Sequence, residues 1–253
     1  MIALASDSRI RDAFWAGLRP DPLQTLSEWS DENMVLTNAA EKGKFRTDRT
    51  PYAREIMDCL SPSHPCQEVV LMKSHQMCGT QILINWAGFV IDRSPANMML
   101  VEPTVDVATK LSKQKIQKML GAVESLKGKI RESRSRDSGN TILVKEYTGG
   151  VMVFAGANSG VSLRFLDAKY VAMDEVDAYP QDVDGEGHPV ELAENRTSTF
   201  TRCKIYKVST PLLKESSIIE KSFLAGSRGR YYVPCPFCLH LQWLKWAGVV
   251  FTF

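Results

Sequence analysis

Apolar residues along this chain fall into two kinds of run, and their alternation predicts the architecture. Val69-Val70-Leu71-Met72, Met98-Met99-Leu100-Val101 and Tyr170-Val171-Ala172-Met173 are short continuous runs that stop at polar residues, and Lys204 to Val208 adds another. Such runs are expected of strands buried on both faces. Between them the spacing turns helical, through Ile82, Leu83, Trp86 and Val90, and then in a long pattern from Val105 to about Leu126. Thr141 to Glu146 and Val151 to Ala155 flank Thr148-Gly149-Gly150, which predicts a hairpin. Strands alternating with helices imply a mainly parallel central sheet in a three-layer α/β fold.

The first part of the chain reads differently. Ile10, Phe14, Trp15 and Leu18 have helical spacing before a break at Pro20-Asp21-Pro22. Pro51 is placed as the first residue of a further helix, whose apolar face is Tyr52, Ile56, Met57 and Leu60, with a stop at Pro62. The expected organisation is a helical lead-in over 1–48, a main domain over 49–228 and a small segment over 229–253.

Composition narrows the class. With 253 residues, 44% hydrophobic and 24% charged, the chain can bury one large core and is neither disordered nor fibrous. A net charge of +2 is too balanced to imply nucleic-acid binding by itself. Local clustering is another matter: Lys110, Lys113, Lys115, Lys118, Lys127, Lys129, Arg131, Arg134 and Arg136 face only Glu124 and Glu132 between positions 110 and 136. That stretch is either a solvated helix face or a track for DNA phosphates. No apolar run reaches the roughly 18 to 20 residues of a membrane span, and the N-terminus lacks a signal-peptide pattern. A cytosolic protein is expected. Cys59, Cys66, Cys78 and Cys203 are scattered, and Cys235-Pro236-Phe237-Cys238 is a knuckle; reduced thiols and one metal knuckle fit better than a disulfide framework.

In a parallel α/β sheet, ligands gather beyond the carboxyl ends of the strands. Lys73-Ser74-His75-Gln76-Met77-Cys78-Gly79-Thr80 follows a strand and opens a helix, where backbone N–H groups can meet phosphate. Lys73 would supply positive charge and Thr80 a hydroxyl for Mg²⁺, although the lysine stands at the start of the loop, unlike the usual G-x-x-x-x-G-K-[ST] order. At the end of the third run, Asp174 can hold Mg²⁺ and Glu175 can deprotonate an attacking water. Strand alternation would send those two side chains apart. Ser209-Thr210-Pro211, after the last strand, could sense phosphate. A phosphate loop, an acidic pair and a hydroxyl pair in this order match motor ATPases.

Through these residues the chain resembles the large terminase subunits of lambda-type tailed phages. The likeness runs from about Arg49 to Trp246 and includes Arg49-Thr50-Pro51-Tyr52, Lys73-Ser74 with Gln76, and Gly149-Gly150. It continues with Gly156-Ala157-Asn158-Ser159, Leu163-Arg164, Asp174-Glu175-Val176-Asp177, Gly185-Glu186-Gly187, Ser209-Thr210-Pro211 and the cysteine knuckle. The resemblance implies a P-loop NTPase of helicase and terminase type with a truncated, zinc-ribbon-like C-terminal segment. It implies ATP and Mg²⁺ bound by Lys73, Ser74, Gly79, Thr80 and Asp174, with Glu175 as the catalytic carboxylate. Tyr52 would stack near the adenine, Ser209 and Thr210 would couple hydrolysis to movement, and Arg164 is a candidate for stabilising the transferred phosphoryl group.

The implied work is translocation of double-stranded DNA into a procapsid in the bacterial host cytoplasm, with a small terminase subunit, a portal and further copies of the chain as partners. Zn²⁺ would join Cys235 and Cys238 in the full-length protein, whose remaining cysteines and nuclease domain are expected beyond residue 253. His240 is a weaker candidate for a makeshift ligand. A helicase-like remodelling ATPase and an inactive, DNA-binding prophage remnant are the other readings. The family usually has glycine where this chain has Cys78, which is expected to be tolerated if its backbone is ordinary.

Overall fold

The expected runs do become strands, and the sheet they make brings their polar ends to one rim. The structure, a computed structural model, describes residues 4–18, 23–37, 42–130, 141–245 and 248. In chain order the elements are α1 (Leu4–Leu18), α2 (Leu26–Asn33), β1 (Val35–Leu36), β2 (Gly43–Lys44), α3 (Ala53–Cys59), β3 (Glu68–Met72) and α4 (Gly79–Arg93). Then come β4 (Met98–Glu102), α5 (Val105–Lys110), α6 (Gln117–Ala122), β5 (Val144–Tyr147), β6 (Gly150–Gly156), α7 (Gly160–Arg164) and β7 (Tyr170–Asp174). The chain continues with α8 (Pro189–Glu194), β8 (Lys204–Ser209), α9 (Ile218–Ala225), β9 (Val233–Pro234) and β10 (Leu241–Gln242).

The main sheet has six strands in the order β3-β8-β7-β4-β6-β5. All neighbours are parallel except β5, which pairs antiparallel with β6 as the hairpin predicted around Gly149. Alternation sorts each strand's side chains between two cores. Met98, Leu100, Tyr170, Ala172, Tyr206 and Val208 face the core under α2, α3, α4 and α6. Met99, Val101, Val171 and Met173 face a second core under α7, α8 and α9. The result is a three-layer α/β arrangement with the sheet buried on both sides.

Trp29 of α2 fixes the first layer. Its ring meets Phe89 edge-on at 6.0 Å, and its Nε1 donates to the buried Asp92 carboxylate at 2.6 Å. Gly88 makes this approach possible, because a Cβ there would lie 2.6 Å from the indole. α2 begins with a capping box between Thr25 and Glu28. Leu26, Trp29, Met34 and Phe45 consequently share one core with α4.

Three sequence expectations need correction. The lead-in is not wholly helical, because β1 and β2 form a short antiparallel ribbon. The stripe Ile10, Phe14, Trp15 and Leu18 of α1 is exposed. The long helix after β4 is interrupted by a π-helical turn, Leu111–Ile116, between α5 and α6; Ser112 at that turn donates to the Ile142 carbonyl. Pro51 lies in a turn ahead of α3 and is not its first residue. No helix among the described residues is long and apolar enough to cross a membrane.

Candidate active site at the carboxyl rim of the sheet

Because β8 lies between β3 and β7, the ends of these strands converge. Lys73 continues the β3–β8 ladder by one bond, its N–H donating to the Ser209 carbonyl at 3.1 Å. Its side chain then runs over the start of α4. Glycine is required there, since a Cβ on Gly79 would meet Lys73 Cε and Val208 Cγ2, each at 2.6 Å. Lys73 Nζ ends 2.8 Å from Glu175 Oε1 and 3.3 Å from Thr210 Oγ1. The lysine side chain is 6% exposed and that of Glu175 41%, so the pair joins a sheltered cation to an anion open to solvent.

Glu175 and Asp174 take different partners, as expected from sequence, but the left-handed backbone at Glu175 and not strand alternation separates them. Glu175 has φ 52° and ψ 53°, which is costly for a residue with a Cβ. The turn aims its carboxylate at β8: Oε2 accepts from the Thr210 N–H at 3.3 Å and from Ser209 Oγ at 3.4 Å. Ser209 and Thr210 thus touch the expected catalytic carboxylate directly. Asp177 extends this link, a role the sequence did not suggest. Its N–H donates to Ser209 Oγ at 3.2 Å, while its carboxylate accepts from the N–H groups of Leu212 and of Ile219 at the start of α9.

Asp174 points the other way, and its Oδ2 accepts from Thr80 Oγ1 at 2.6 Å. Its Oδ1 is buried with no hydrogen-bond partner. Glu102, at the end of the adjacent β4, is also buried. Burial, then the Asp174 charge, pushes the Glu102 carboxyl up to about 8, against a weaker opposing pull from Lys115. Burial likewise raises Asp174, with Thr80 opposing it. A cluster of carboxylates short of positive charge, one oxygen unsatisfied, has the donor chemistry of a Mg²⁺ site. Thr80 and Asp174 fit that ion. Glu102 went unnoticed in the sequence because only the β4–β7 pairing brings it there.

The loop before α4 departs from the expectation for Cys78. Its φ is 61° and ψ 4°, a left-handed conformation that favours glycine, and Gln76 is also left-handed at φ 60°. The Cys78 thiol is raised by burial. Ser74 and His75 are exposed. Tyr52 is half-buried and packs edge-on against Tyr231 at 6.2 Å; Tyr231, half exposed, is a second aromatic beside it that spacing did not reveal.

Other candidates lie apart from this set of contacts. Arg164 ends α7 and pairs with Glu186 (Nη1–Oε1 2.5 Å), and its Nε donates to the Gly160 carbonyl. Two of the quoted motifs thus meet each other: Leu163-Arg164 and Gly185-Glu186-Gly187. Cys235 and Cys238 lie between β9 and β10, closed by the Cys235 N–H to the His240 carbonyl at 2.9 Å. Backbone N–H groups of Cys238 and Phe237 hold the Cys235 thiol below its ordinary range.

Among the described residues of the basic stretch, two lysines have acidic partners. Lys127 pairs with Glu124, and Lys129 pairs with the buried Asp92. The Lys115 charge acts on Glu102 and Asp174. Lys110, Lys113 and Lys118 are exposed, while Arg131, Arg134 and Arg136 lie outside the described residues, as do Trp246 and the last five positions.

Residues 39–252 match the family described as phage terminase large subunit gpA, ATPase domain. This chain belongs to that family. It is 27% identical over 228 residues to the large terminase subunit of Enterobacteria phage P21, covering 89% of this chain and 35% of that protein. With the large terminase subunit of Escherichia phage lambda it shares 26% over 244 residues, 94% of this chain and 38% of that protein. The chain therefore spans somewhat more than a third of the length of these curated relatives. The crystal structure of the HK97 bacteriophage large terminase has a TM-score of 0.59 and 9% identity, over 79% of this chain and 41% of that one. That is a likeness of fold, and it fits the three-layer α/β NTPase arrangement.

Proposed function

We propose that this terminase ATPase domain hydrolyses ATP and uses the energy to move double-stranded DNA into a procapsid. The observation that carries the reading is the convergence of Lys73, Thr80, Asp174, Glu175, Ser209 and Thr210 at one rim. Lys73, Ser74 and the N–H groups around Gly79 would bind the phosphates, with Tyr52 and Tyr231 beside the base. Thr80 and Asp174 would hold Mg²⁺. The ion, when bound, neutralises charge on the phosphate oxygens.

Glu175 would accept the proton of the attacking water as the water oxygen bonds to the γ-phosphorus and the bond to the ADP oxygen breaks. Lys73 is paired with Glu175. A phosphate that draws Lys73 Nζ away would release Glu175 for this work and change what Ser209 and Thr210 touch. Asp177 gives that change a route to α9, through its bonds to Ser209 and Ile219. Arg164 would act on phosphoryl charge only after leaving Glu186. Lys110, Lys113, Lys115 and Lys118, all exposed, would meet DNA phosphates.

By the same reading Cys235 and Cys238 supply two ligands of a zinc-ribbon-like segment over 229–253, after a motor over 49–228. The small terminase subunit, the portal and further copies of this chain would be partners in the host cytoplasm.

Neighbouring substitutions test the assignment. Asp174→Asn should weaken Mg²⁺-ATP binding, because an anionic anchor is lost. Glu175→Gln should keep nucleotide binding and lower turnover by about 10²–10⁴-fold, the usual cost of losing a general base. Equal turnover in wild type and Glu175→Gln, measured by phosphate release with DNA present, would remove Glu175 from the reaction. Failure of the wild type to bind ATP would remove the reading itself.

A further inference from the structure

At the opposite end of β3 from Lys73, Cys59, His64 and Cys66 turn their side chains toward one point. A ligand atom from each lies within 4.8 Å of the other two. Cys59 closes α3, and Cys66 stands two residues before β3, so the cluster spans the connection between these elements. We infer that Cys59, His64 and Cys66 form a binding site for a thiophilic divalent cation of the Zn²⁺ class, separate from both the rim and the Cys235–Cys238 knuckle.

Distances favour this. Cys59 Sγ and His64 Nε2 are 3.9 Å apart. Ligand bonds of about 2.3 Å to sulfur and 2.0 Å to nitrogen in a tetrahedral shell separate such atoms by roughly 3.5 Å. A shift of a few tenths of an ångström therefore closes the pair on one ion.

The loop is also preorganised. Lys204, at the start of β8, is buried, and its ammonium donates to the carbonyls of Cys59 (2.9 Å), His64 (2.7 Å) and Cys66. One cation thus gathers the three backbone oxygens while the three side-chain donors are left to gather another. The charges balance: two thiolates neutralise a divalent ion.

Cys66 Sγ donates to the Glu68 carbonyl at 3.0 Å, and His64 Nδ1 accepts from the Cys66 N–H at 3.2 Å. Binding would release both thiol protons to solvent and move the imidazole proton from Nε2 to Nδ1, which gives up its bond from the Cys66 N–H as the ring turns, so that two sulfurs and Nε2 each donate a pair to the metal. His64 is exposed, so solvent can fill the fourth position. Sulfur and imidazole select Zn²⁺ over Mg²⁺, which keeps this site chemically distinct from the nucleotide's ion. Its consequence is mechanical: it would tie the end of α3, the helix that Tyr52 precedes, to the strand that delivers Lys73.

The test uses the full chain carrying Cys235→Ser and Cys238→Ser, which removes the knuckle, purified under reducing, oxygen-free conditions. Expected are on the order of one bound Zn²⁺ per chain by elemental analysis, a sulfur-to-metal charge-transfer band on Co²⁺ substitution, and a melting midpoint that rises a few degrees with Zn²⁺. Adding Cys59→Ser and Cys66→Ser should abolish all three. Should that variant fail to fold, His64→Asn at an exposed position should still lower Zn²⁺ affinity by at least roughly tenfold and leave the melting point in chelator unchanged. Free titration of all remaining thiols with no stoichiometric metal, or metal content and Co²⁺ spectra indifferent to these substitutions, would overturn the proposal.

Discussion

Lys73 and Lys207 are both buried lysines on adjacent parallel strands, with side chains 6% and 8% exposed, yet the sheet treats them differently. Lys207, within β8, has two carboxylates, Glu68 at 2.7 Å and Glu194. Those partners outweigh the burial that would lower it and raise it above the ordinary lysine range. Lys73, at the rim, has a single carboxylate and a threonine hydroxyl. Around it lie a buried oxygen of Asp174 without a partner, a Glu102 pushed toward its neutral form and three left-handed residues, Gln76, Cys78 and Glu175. Buried polar groups are normally paired. The region that is paired serves the fold; the region that is not has capacity left for an incoming phosphate and its cation.

The largest expected effect separates the two lysines. Lys73→Ala should reduce ATP turnover by more than about 10²-fold, the scale of losing one preorganised donor to developing charge. Its melting point should hardly move, because the abandoned Glu175 carboxylate is 41% exposed and can be hydrated. Lys207→Ala should do the opposite. It strands Glu68 and Glu194 and should cost on the order of 3 kcal/mol, the low end for breaking a buried pair because these carboxylates keep some contact with water. Phosphate-release assays and thermal melts on both variants check this. If each variant loses both properties to the same degree, the contrast between the regions is broken.

Next in size is the pH response of the rim. Glu102 has an ordinary carboxyl value of 4.5 and a folded value of about 8, so the folded state keeps a proton that the unfolded chain has released over that interval. Its stabilising contribution is complete below about 4.5 and is lost as pH rises through about 8. Asp174 is raised in the same sense. Without nucleotide and in chelator, Glu102→Gln should therefore leave stability nearly unchanged at low pH and become the more stable of the two proteins above pH 8. Parallel pH profiles of the melting point would mean that Glu102 ionises freely and that the rim is no more strained than the middle of the sheet.

What could be read from sequence follows the range of the interactions involved. The strands were legible because burial on both faces leaves continuous apolar runs; Lys73, Asp174 and Glu175 were legible as candidates because they stand at the ends of those runs, and Thr80 because it opens the helix after the loop. Glu102 stands at such an end too, but its importance depends on β4 lying next to β7, which no local pattern encodes. The same holds for Tyr231 against Tyr52, for Asp177 capping α9 and for Lys129, which reads as part of a basic stretch until Asp92 is found beneath it. The ribbon of β1 and β2 is too short to leave a period. Backbone sign was also hidden: the turn at Glu175 and the left-handed Cys78 are set by the sheet and loop around them.

The smallest effect asks whether strain at the rim belongs to the backbone or to the side chain. Left-handed geometry costs a residue with a Cβ about 1–2 kcal/mol, and glycine removes that cost while giving back about 0.4–1 kcal/mol through a freer unfolded chain. It also forfeits the packing of the Cys78 side chain against the first core. Cys78→Gly should therefore change stability by no more than about 1 kcal/mol, with the gain appearing chiefly as tighter nucleotide binding by a loop that can approach phosphate closely. Cys78→Ala is the informative partner, because it discards the thiol and retains the Cβ at φ 61°. If conformation is the cause, Ala should be less stable than Gly by about 1 kcal/mol and bind ATP no better than wild type. Equal melting points and equal ATP affinities for Gly and Ala would assign the effect to the buried thiol, and would leave Glu175 as the residue whose backbone strain distinguishes the rim from the rest of the sheet.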